Sequence, residues 1–521
     1  MARIQKILIV GGGTAGWLTA CYLAKTLGAG RPGAIGIKLV ESRDIGILGV
    51  GEGTWPTIRA TLAAIGIDEA RFIRESTATF KQGVHFAHWA RAAGSAGADH
   101  YFHPFNQPSY KGDGLHLLPY WLLGAAGDVP FAEAATMQKR VVDASRAPKR
   151  FGDADYQGPM NYAFHFDASK FAALLSAHGK SLGVEHDYVN VRDVELDEQG
   201  AIAGIVTEEA GTLHADLYID CSGFRALLIG KALGSAFRDV NDTLFADRAL
   251  ALQVPYDRPD APIASCTIAT GHEAGWTWDI GLHERRGTGY VYSSRHTDDA
   301  RAEEILRAYV GNVGEGLTPR LLKFRTGYRE TQWIKNCVAV GLSAGFLEPL
   351  ESTGIGLIEM AAYLIGHLFP FDGDTTRVAA EFNAQMTGRF ERVVDFLKLH
   401  YCLSQRSEPF WRDNVDPATI PATLQDKLAM WRCRPPHRLD FINDLEMFPP
   451  SSWQFVLYGM EFKTELAPAR TAFPQFDAAR QEFHTLRQVT GHAVNDLPPH
   501  RAYIDHVIRH GALPQRARVA V

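Results

Sequence analysis

The chain has 521 residues, 46% hydrophobic and 21% charged, with a formal net charge of -6. This is an ordinary globular composition, and no sizeable block of like charge marks nucleic acid as the main partner. The six cysteines (Cys21, Cys221, Cys266, Cys337, Cys402, Cys433) form no CxxC and no paired spacing. They read as reduced thiols of a cytoplasmic protein, with no disulfide framework and no metal site expected. The opening MARIQKILIV is apolar only briefly before Gly11, too short for a signal peptide, and no long apolar run predicts a membrane span.

In chain order, Ile7–Val10 reads as a strand, GGGTAG as a turn, WLTACYLAKTLG as a helix and Ile37–Val40 as a second strand: a βαβ unit. From Asp99 to Arg150 the chain is aromatic and broken by prolines, which predicts loops and short helices. Phe166 to Gly183 reads as a helix with Asp167 near its start. VNVRDVEL, AIAGIVTE and TLHADLYIDCSG read as successive strands. Ala249 to Tyr292 is strand-rich, Ala300 to Val310 helical, and the chain beyond Arg377 mostly helical.

GxGxxG falls on Gly11, Gly13 and Gly16, between strand and helix, the context that makes this pattern informative. Glycines there permit a tight turn and close approach of a pyrophosphate to the helix N-terminus, with Thr14 and Ala15 inside the turn. Glu41 closes the second strand, where an acidic residue hydrogen-bonds a ribose and disfavours a 2′-phosphate. Two later strand ends, Asp220-Cys221-Ser222-Gly223 and Gly341-Leu342-Ser343, sit where flavoprotein chains return to the cofactor. FAD is therefore expected rather than NAD, although Leu342 stands where many flavoproteins place an aspartate.

Three further segments act in combination: TFKQGVHFAHW with Lys81, GWTWDIG with Trp276 and Trp278 on one strand face, and FLEPLESTGIGLIEM with Glu351. With them the sequence resembles the flavin-dependent halogenases, the tryptophan halogenase family, from about residue 4 to about residue 460. The family's GWxWxIP motif and its Phe-Pro-Ser-Gly motif, here Phe346, Pro349, Ser352 and Gly354, carry the likeness. GVGEGT resembles the family's flavin strap and adds Gly49, Val50, Gly51 and Glu52 to the cofactor contacts, with Gly354 and Ile355.

The resemblance implies that reduced FAD, supplied by a separate NAD(P)H-dependent reductase, works with O2 and chloride or bromide to make hypohalous acid. Lys81 would then deliver the halogen to an electron-rich ring, with Glu351 orienting it or taking the ring proton. The residue types suit these roles. The amides of Thr353 and Gly354 open a helix and suit a halide. An amine accepts electrophilic halogen only when unprotonated, and burial among Phe80, Phe86 and Trp89 would favour that state. Trp276, Trp278 and Ser352 would wall the flavin from the substrate. His103, Phe105, Phe448 and Trp453 match substrate-pocket positions.

The expected fold is α/β: a Rossmann-like FAD-binding core of the GR2, flavin monooxygenase-like type. A mixed or antiparallel sheet is added, and a largely helical C-terminal region binds substrate. Residues 1–375 are expected to form the FAD module, with 91–165 sending loops to the substrate side, and 376–521 to complete the pocket. Gly281 replaces the family's proline, and DLEMFPPSSWQFVLYG has Met447-Phe448 where binders of free tryptophan carry Phe-Trp. An indole-like or other electron-rich aromatic is thus expected, with free tryptophan the weaker candidate. The alternatives are a flavin-dependent aromatic hydroxylase and a non-catalytic flavin-binding protein. A homodimer is compatible with the sequence.

Overall fold

The computed structural model describes residues 3–46, 51–95, 99–111, 115–442 and 445–511. The chain divides into two units, each assembled from three stretches. The first comprises Met1–Thr77, Phe166–Asn241 and Arg325–Glu391; the second comprises Ala78–His165, Asp242–Phe324 and Arg392–Val521. The boundary expected at 375/376 does not coincide with this division. The physical reason is strand pairing: residues from 83–104 and 248–323 share one sheet, while the stretches flanking them return to another.

In the first unit, the run Lys6–Val10 is buried at every position but its first, as its unbroken apolar sequence requires of a central parallel strand. It pairs in parallel with Gly36–Glu41 on one side and Leu217–Asp220 on the other. Glu185–Tyr188 lies outside Gly36–Glu41, and Cys337–Ala339 lies outside Leu217–Asp220, both parallel. Trp333–Ile334 closes that edge antiparallel. Successive strands are therefore added first to one side of Lys6–Val10 and then to the other. The order reverses at this strand, so a ligand crevice falls at its carboxyl end, where Gly11 begins the turn. Helix Thr14–Leu27 follows the turn and ends at Gly28, in the left-handed region. Helix Ala168–Ser181 starts where expected: the Asp167 carboxylate accepts from the amides of Ser169 and Lys170.

The second unit is built on a seven-stranded mixed sheet. Its order is Arg320–Lys323, Arg248–Pro255, Arg285–Tyr292, Gly275–Gly281, Thr267–His272, Gly83–Ala87 and His100–Pro104. All neighbours are antiparallel except Thr267–His272 with Gly83–Ala87. His100–Pro104 lies in the stretch expected to hold only loops and short helices. It is an edge strand, which is why its terminal proline is tolerated. Helices including Pro450–Gly459, Phe476–Asp496 and His500–His510 complete this unit. No helix among the described residues is long and apolar enough to cross a membrane.

Candidate active site

The glycine turn is built for a close approach. Gly11 has φ +117, and a Cβ there would lie 2.2 Å from the Cys221 carbonyl oxygen, so no other residue fits. At Gly16 an added Cβ would meet the Gly11 carbonyl. Around Gly13 there is nothing within 4 Å of such an atom. Gly13 is also the N-cap and caps the helix with no side chain. The first-turn amides beyond it, at Thr14 and Ala15, thus start a helix beside open space, which fits a pyrophosphate. The turn Gly341–Ser343 comes up against the same place: Gly341 has φ +75, and its added Cβ would sit 2.7 Å from the Ala15 Cβ. Leu342 is therefore beside the turn without offering it a carboxylate.

Asp220 does not fill that gap. Its two oxygens are committed to the amides of Ser222, Leu228 and Ile229 and to the Ser222 hydroxyl, holding the helical turns that follow. Glu41 lies against the glycine turn, since a Cβ at Gly12 would fall 1.9 Å from its Oε2. Its other oxygen, Oε1, bonds His186 Nε2 at 2.8 Å. Nothing local in the chain points to His186, because the pairing depends on which strand is laid beside Gly36–Glu41.

Of the strap, Gly49 and Val50 lie outside the described residues; Gly51 and Glu52 lie within them. Burial, and then the charge of Asp167, push the Glu52 carboxyl up to about 7. Beyond the strap, Trp55 Nε1 donates to the Glu351 carbonyl at 2.5 Å. Helix Thr57–Ile65 follows, and the hydroxyls of Thr57 and Thr61 donate to the buried Glu359 carboxylate at 3.1 and 2.5 Å. Burial pushes Glu359 to about 7, against the two hydroxyls that favour its charged form.

Glu351 is fully buried and ends the turn Pro349–Glu351. Ser352 then takes φ +57, a conformation unfavourable outside glycine, before helix Thr353–His367 begins. Its side chain does not cap the helix. Thr353 and Ile355 are buried, while Gly354 has open space at its Cβ position. The left-handed kink thus separates the Glu351 side chain from a helix start carrying the Thr353 and Gly354 amides.

The remaining site residues belong to the second unit. Lys81 has 0% exposure and closes the short strand Thr79–Lys81. Its Nζ stands 5.4 Å from the centroid of the Phe105 ring. The Phe105 amide donates to the Gln82 carbonyl, which ties that ring to the lysine strand. Strand Thr79–Lys81 runs antiparallel to Ala163–Phe166 in the register Thr79 with His165 and Lys81 with Ala163. His165 therefore shares the Lys81 face. Its Nε2 bonds Thr267 Oγ1 at 2.8 Å, and its buried Nδ1 has no hydrogen-bond partner among the described residues. Burial holds this imidazole well below the ordinary histidine range, so it is neutral. Phe80 alternates to the opposite face and packs on Tyr162, His500 and Tyr503. Phe86 and Trp89 pack with Tyr101 and His400.

His103 Nε2 bonds Ser452 Oγ at 2.8 Å, and its ring meets Phe396 edge-on. Phe396 stacks on Phe448 at 3.8 Å and meets Trp453 at 5.0 Å. Lys427 Nζ lies 4.8 Å from the Trp453 ring and 3.4 Å from Asp395, and Arg392 pairs with Glu446 at 3.0 Å. Trp276 and Trp278 are buried on one face of the central strand Gly275–Gly281. Trp276 approaches Trp89 at 6.1 Å, and Trp278 covers Gly289, where an added Cβ would strike its ring. One unit thus carries the glycine turn, Glu41 and Glu351 to Ile355. The other gathers Lys81, His103, Phe105, both tryptophans, Phe448 and Trp453.

Known proteins match nearly the whole length of this chain. The tryptophan halogenase family model matches residues 6–475. A tryptophan 6-halogenase, SttH, from Streptomyces toxytricini is 35% identical over 96% of this chain and 97% of its own. The crystal structure of a tryptophan halogenase from Shewanella frigidimarina NCIMB 400 superposes with a TM-score of 0.94 at 41% identity, covering 99% of both chains. Tar14, a tryptophan C-6 flavin-dependent halogenase from taromycin biosynthesis, gives 0.89 at 37% identity, over 97% of this chain and 100% of that one. The chain belongs to the tryptophan halogenase family of flavin-dependent enzymes.

Proposed function

We propose that Lys81 is the halogen carrier of this FADH2-dependent halogenase and Glu351 its acid–base partner, acting on an indole-like substrate. As a family member the enzyme uses FAD, halide and O2 and works with a separate flavin reductase. The glycine turn would hold the flavin, which when bound in its reduced form would activate O2, the oxidant that turns halide into hypohalous acid. The carrying observation for the rest is the lysine itself: no exposure, an aromatic ring over its amine and a neutral imidazole on the same strand face. Removal from water is the condition under which an amine accepts halogen.

In the balanced step, the Lys81 amine attacks the halogen of HOX; the N–X bond forms, the O–X bond breaks, and water leaves with the amine proton. The substrate ring carbon then takes X from nitrogen. Glu351 accepts the proton displaced from that carbon, and the lysine amine is restored by proton return. The amides of Thr353 and Gly354 suit the halide before it is oxidised. Trp276 and Trp278 are assigned to the wall that keeps an aromatic ring from the cofactor while halide passes.

Support for an indole-like ring comes from the stack of Phe396, Phe448 and Trp453. The charges beside it already pair with one another, Lys427 with Asp395 and Arg392 with Glu446, and are thereby occupied before an amino acid's ammonium and carboxylate arrive. A cytoplasmic, homodimeric enzyme completes the reading. The test supplies FAD, a reductase, NADH and bromide or chloride with indole or with tryptophan, and follows products by mass spectrometry. Halogenated indole is expected in excess of halogenated tryptophan. A hydroxylated product that forms equally without halide would overturn the assignment of Lys81.

A further inference from the structure

The strand that carries Lys81 is held on one edge by a side chain of the last helix. Three residues of β structure pair with Ala163–Phe166, and the opposite edge of that strand needs other partners. At Gln82 the partner is main chain: its amide donates to the Ser265 carbonyl at 2.7 Å. At Phe80 no main chain serves. The Phe80 amide donates to Nε2 of His500 at 3.0 Å, and the other ring nitrogen, Nδ1, lies 3.0 Å from the Ile263 carbonyl oxygen. A carbonyl only accepts, so Nδ1 carries the proton and Nε2 is the bare acceptor. The imidazole bridges the gap between the lysine strand and the segment 263–265, one peptide before Lys81.

His500 is itself fixed. Its amide donates to the Ser145 carbonyl, the Ala147 amide donates to the Pro498 carbonyl, and its ring is 1% exposed. Burial holds its pKa down to about 4, so the acceptor persists at neutral pH. Tyr503, one turn further on the same helix, packs its ring against Phe80.

We propose that His500 is a positioning residue for Lys81: it sets the orientation of the Phe80–Lys81 peptide and thereby where the lysine amine meets halogen and substrate. The inference rests on Lys81 being the halogen carrier. It lies beyond residue 475, where the family match ends, so no motif of the sequence pointed to it.

The test measures two quantities in the full-length enzyme with FAD, reductase, NADH, bromide and indole. One is halogenated indole; the other is hypohalous acid that escapes, captured by a soluble 1,3-diketone. In His500→Leu, halogenated indole is expected to fall on the order of tenfold to a hundredfold, the size of effect that misplacing a reacting group produces. The sum of product and captured halogen should stay near the wild-type level. His500→Gln, whose Oε1 can accept from Phe80, should recover most of the transfer. If His500→Leu does not fold, His500→Asn replaces it, since Asn keeps a donor for Ile263 but is too short for Phe80.

Wild-type partition in His500→Leu, or product and sum falling together in the same ratio, overturns the proposal. So does Gln failing as badly as Leu. Lys81→Ala separates the two claims: an active Lys81→Ala removes the carrier role and this inference with it. An inactive Lys81→Ala beside a normal His500→Leu removes this inference alone.

Discussion

The glycine turn and the lysine strand hold their functional groups in opposite ways. At the turn, function lies in main-chain amides, and the residues that matter are those with no side chain to obstruct them, Gly11 and Gly13. At the lysine strand, the proposed chemistry rests on a single side chain, and its surroundings come from four separate stretches, through Phe105, His165, Thr267 and His500. A backbone site is compact in sequence and fails by steric clash. A side-chain site is scattered in sequence and fails by misplacement. The two should therefore break differently, in cofactor affinity and fold at the turn, in transfer at the lysine.

The largest effect is predicted for Lys81→Ala. Halogenated product should fall more than about a thousandfold, as when a group that acts in the chemical step is removed. FAD affinity, read from flavin fluorescence, should remain as in the wild type, and a parallel loss of affinity would blur the contrast between the two sites. Glu351→Gln should lower turnover by about a hundredfold to a thousandfold, as loss of a positioned acid–base group does.

Gly11→Ala tests the other side. It places a Cβ 2.2 Å from a carbonyl oxygen at φ +117, and the backbone strain alone is worth about 1–3 kcal/mol. Melting temperature and FAD affinity should drop together here. A variant that binds FAD normally would show that the turn has more room than its geometry allows.

Glu359→Gln sharpens the comparison through pH. Burial raises its folded-state pKa to about 7, above the ordinary carboxyl value. Between the two values the folded state keeps a proton that the unfolded chain has lost, so rising pH weakens the fold until about 7 and no further. A neutral glutamine escapes that loss. The variant should match the wild type in acid and exceed it in thermal stability above neutrality, by up to about 3 kcal/mol for a shift of this size. An advantage that is the same at all pH values would show that the carboxyl does not titrate there.

The smallest effect belongs to Trp55→Phe, which deletes the indole donor to the Glu351 carbonyl and keeps the ring. A single neutral hydrogen bond contributes about 1 kcal/mol, or roughly fivefold. That loss should appear in halogenation and leave FAD affinity unchanged.

Much of the first unit was legible from residues close in sequence. The run KILIV, the glycines after it, the Asp167 cap and the helix after Ser352 are all local, because short-range sterics and hydrogen bonding decide turns and helix starts. Glu41 was legible as a strand end, yet its partner His186 was not, since adjacent parallel strands are joined through a distant crossover. The edge strand His100–Pro104 was hidden by its proline, which a central strand would not tolerate.

By itself the sequence determined the family, and it singled out the glycine turn, the lysine and the glutamate as candidates, because each is carried by a short run of particular residue types. Only the tertiary structure decided what surrounds them. Phe105 over the amine, a neutral His165 on the same face, His500 on the Phe80 amide and Trp55 on the Glu351 carbonyl are contacts between residues far apart in the chain. The interleaving of the two units was decided there as well, through strand pairing between distant stretches. Such contacts follow from register and packing, which no local spacing encodes.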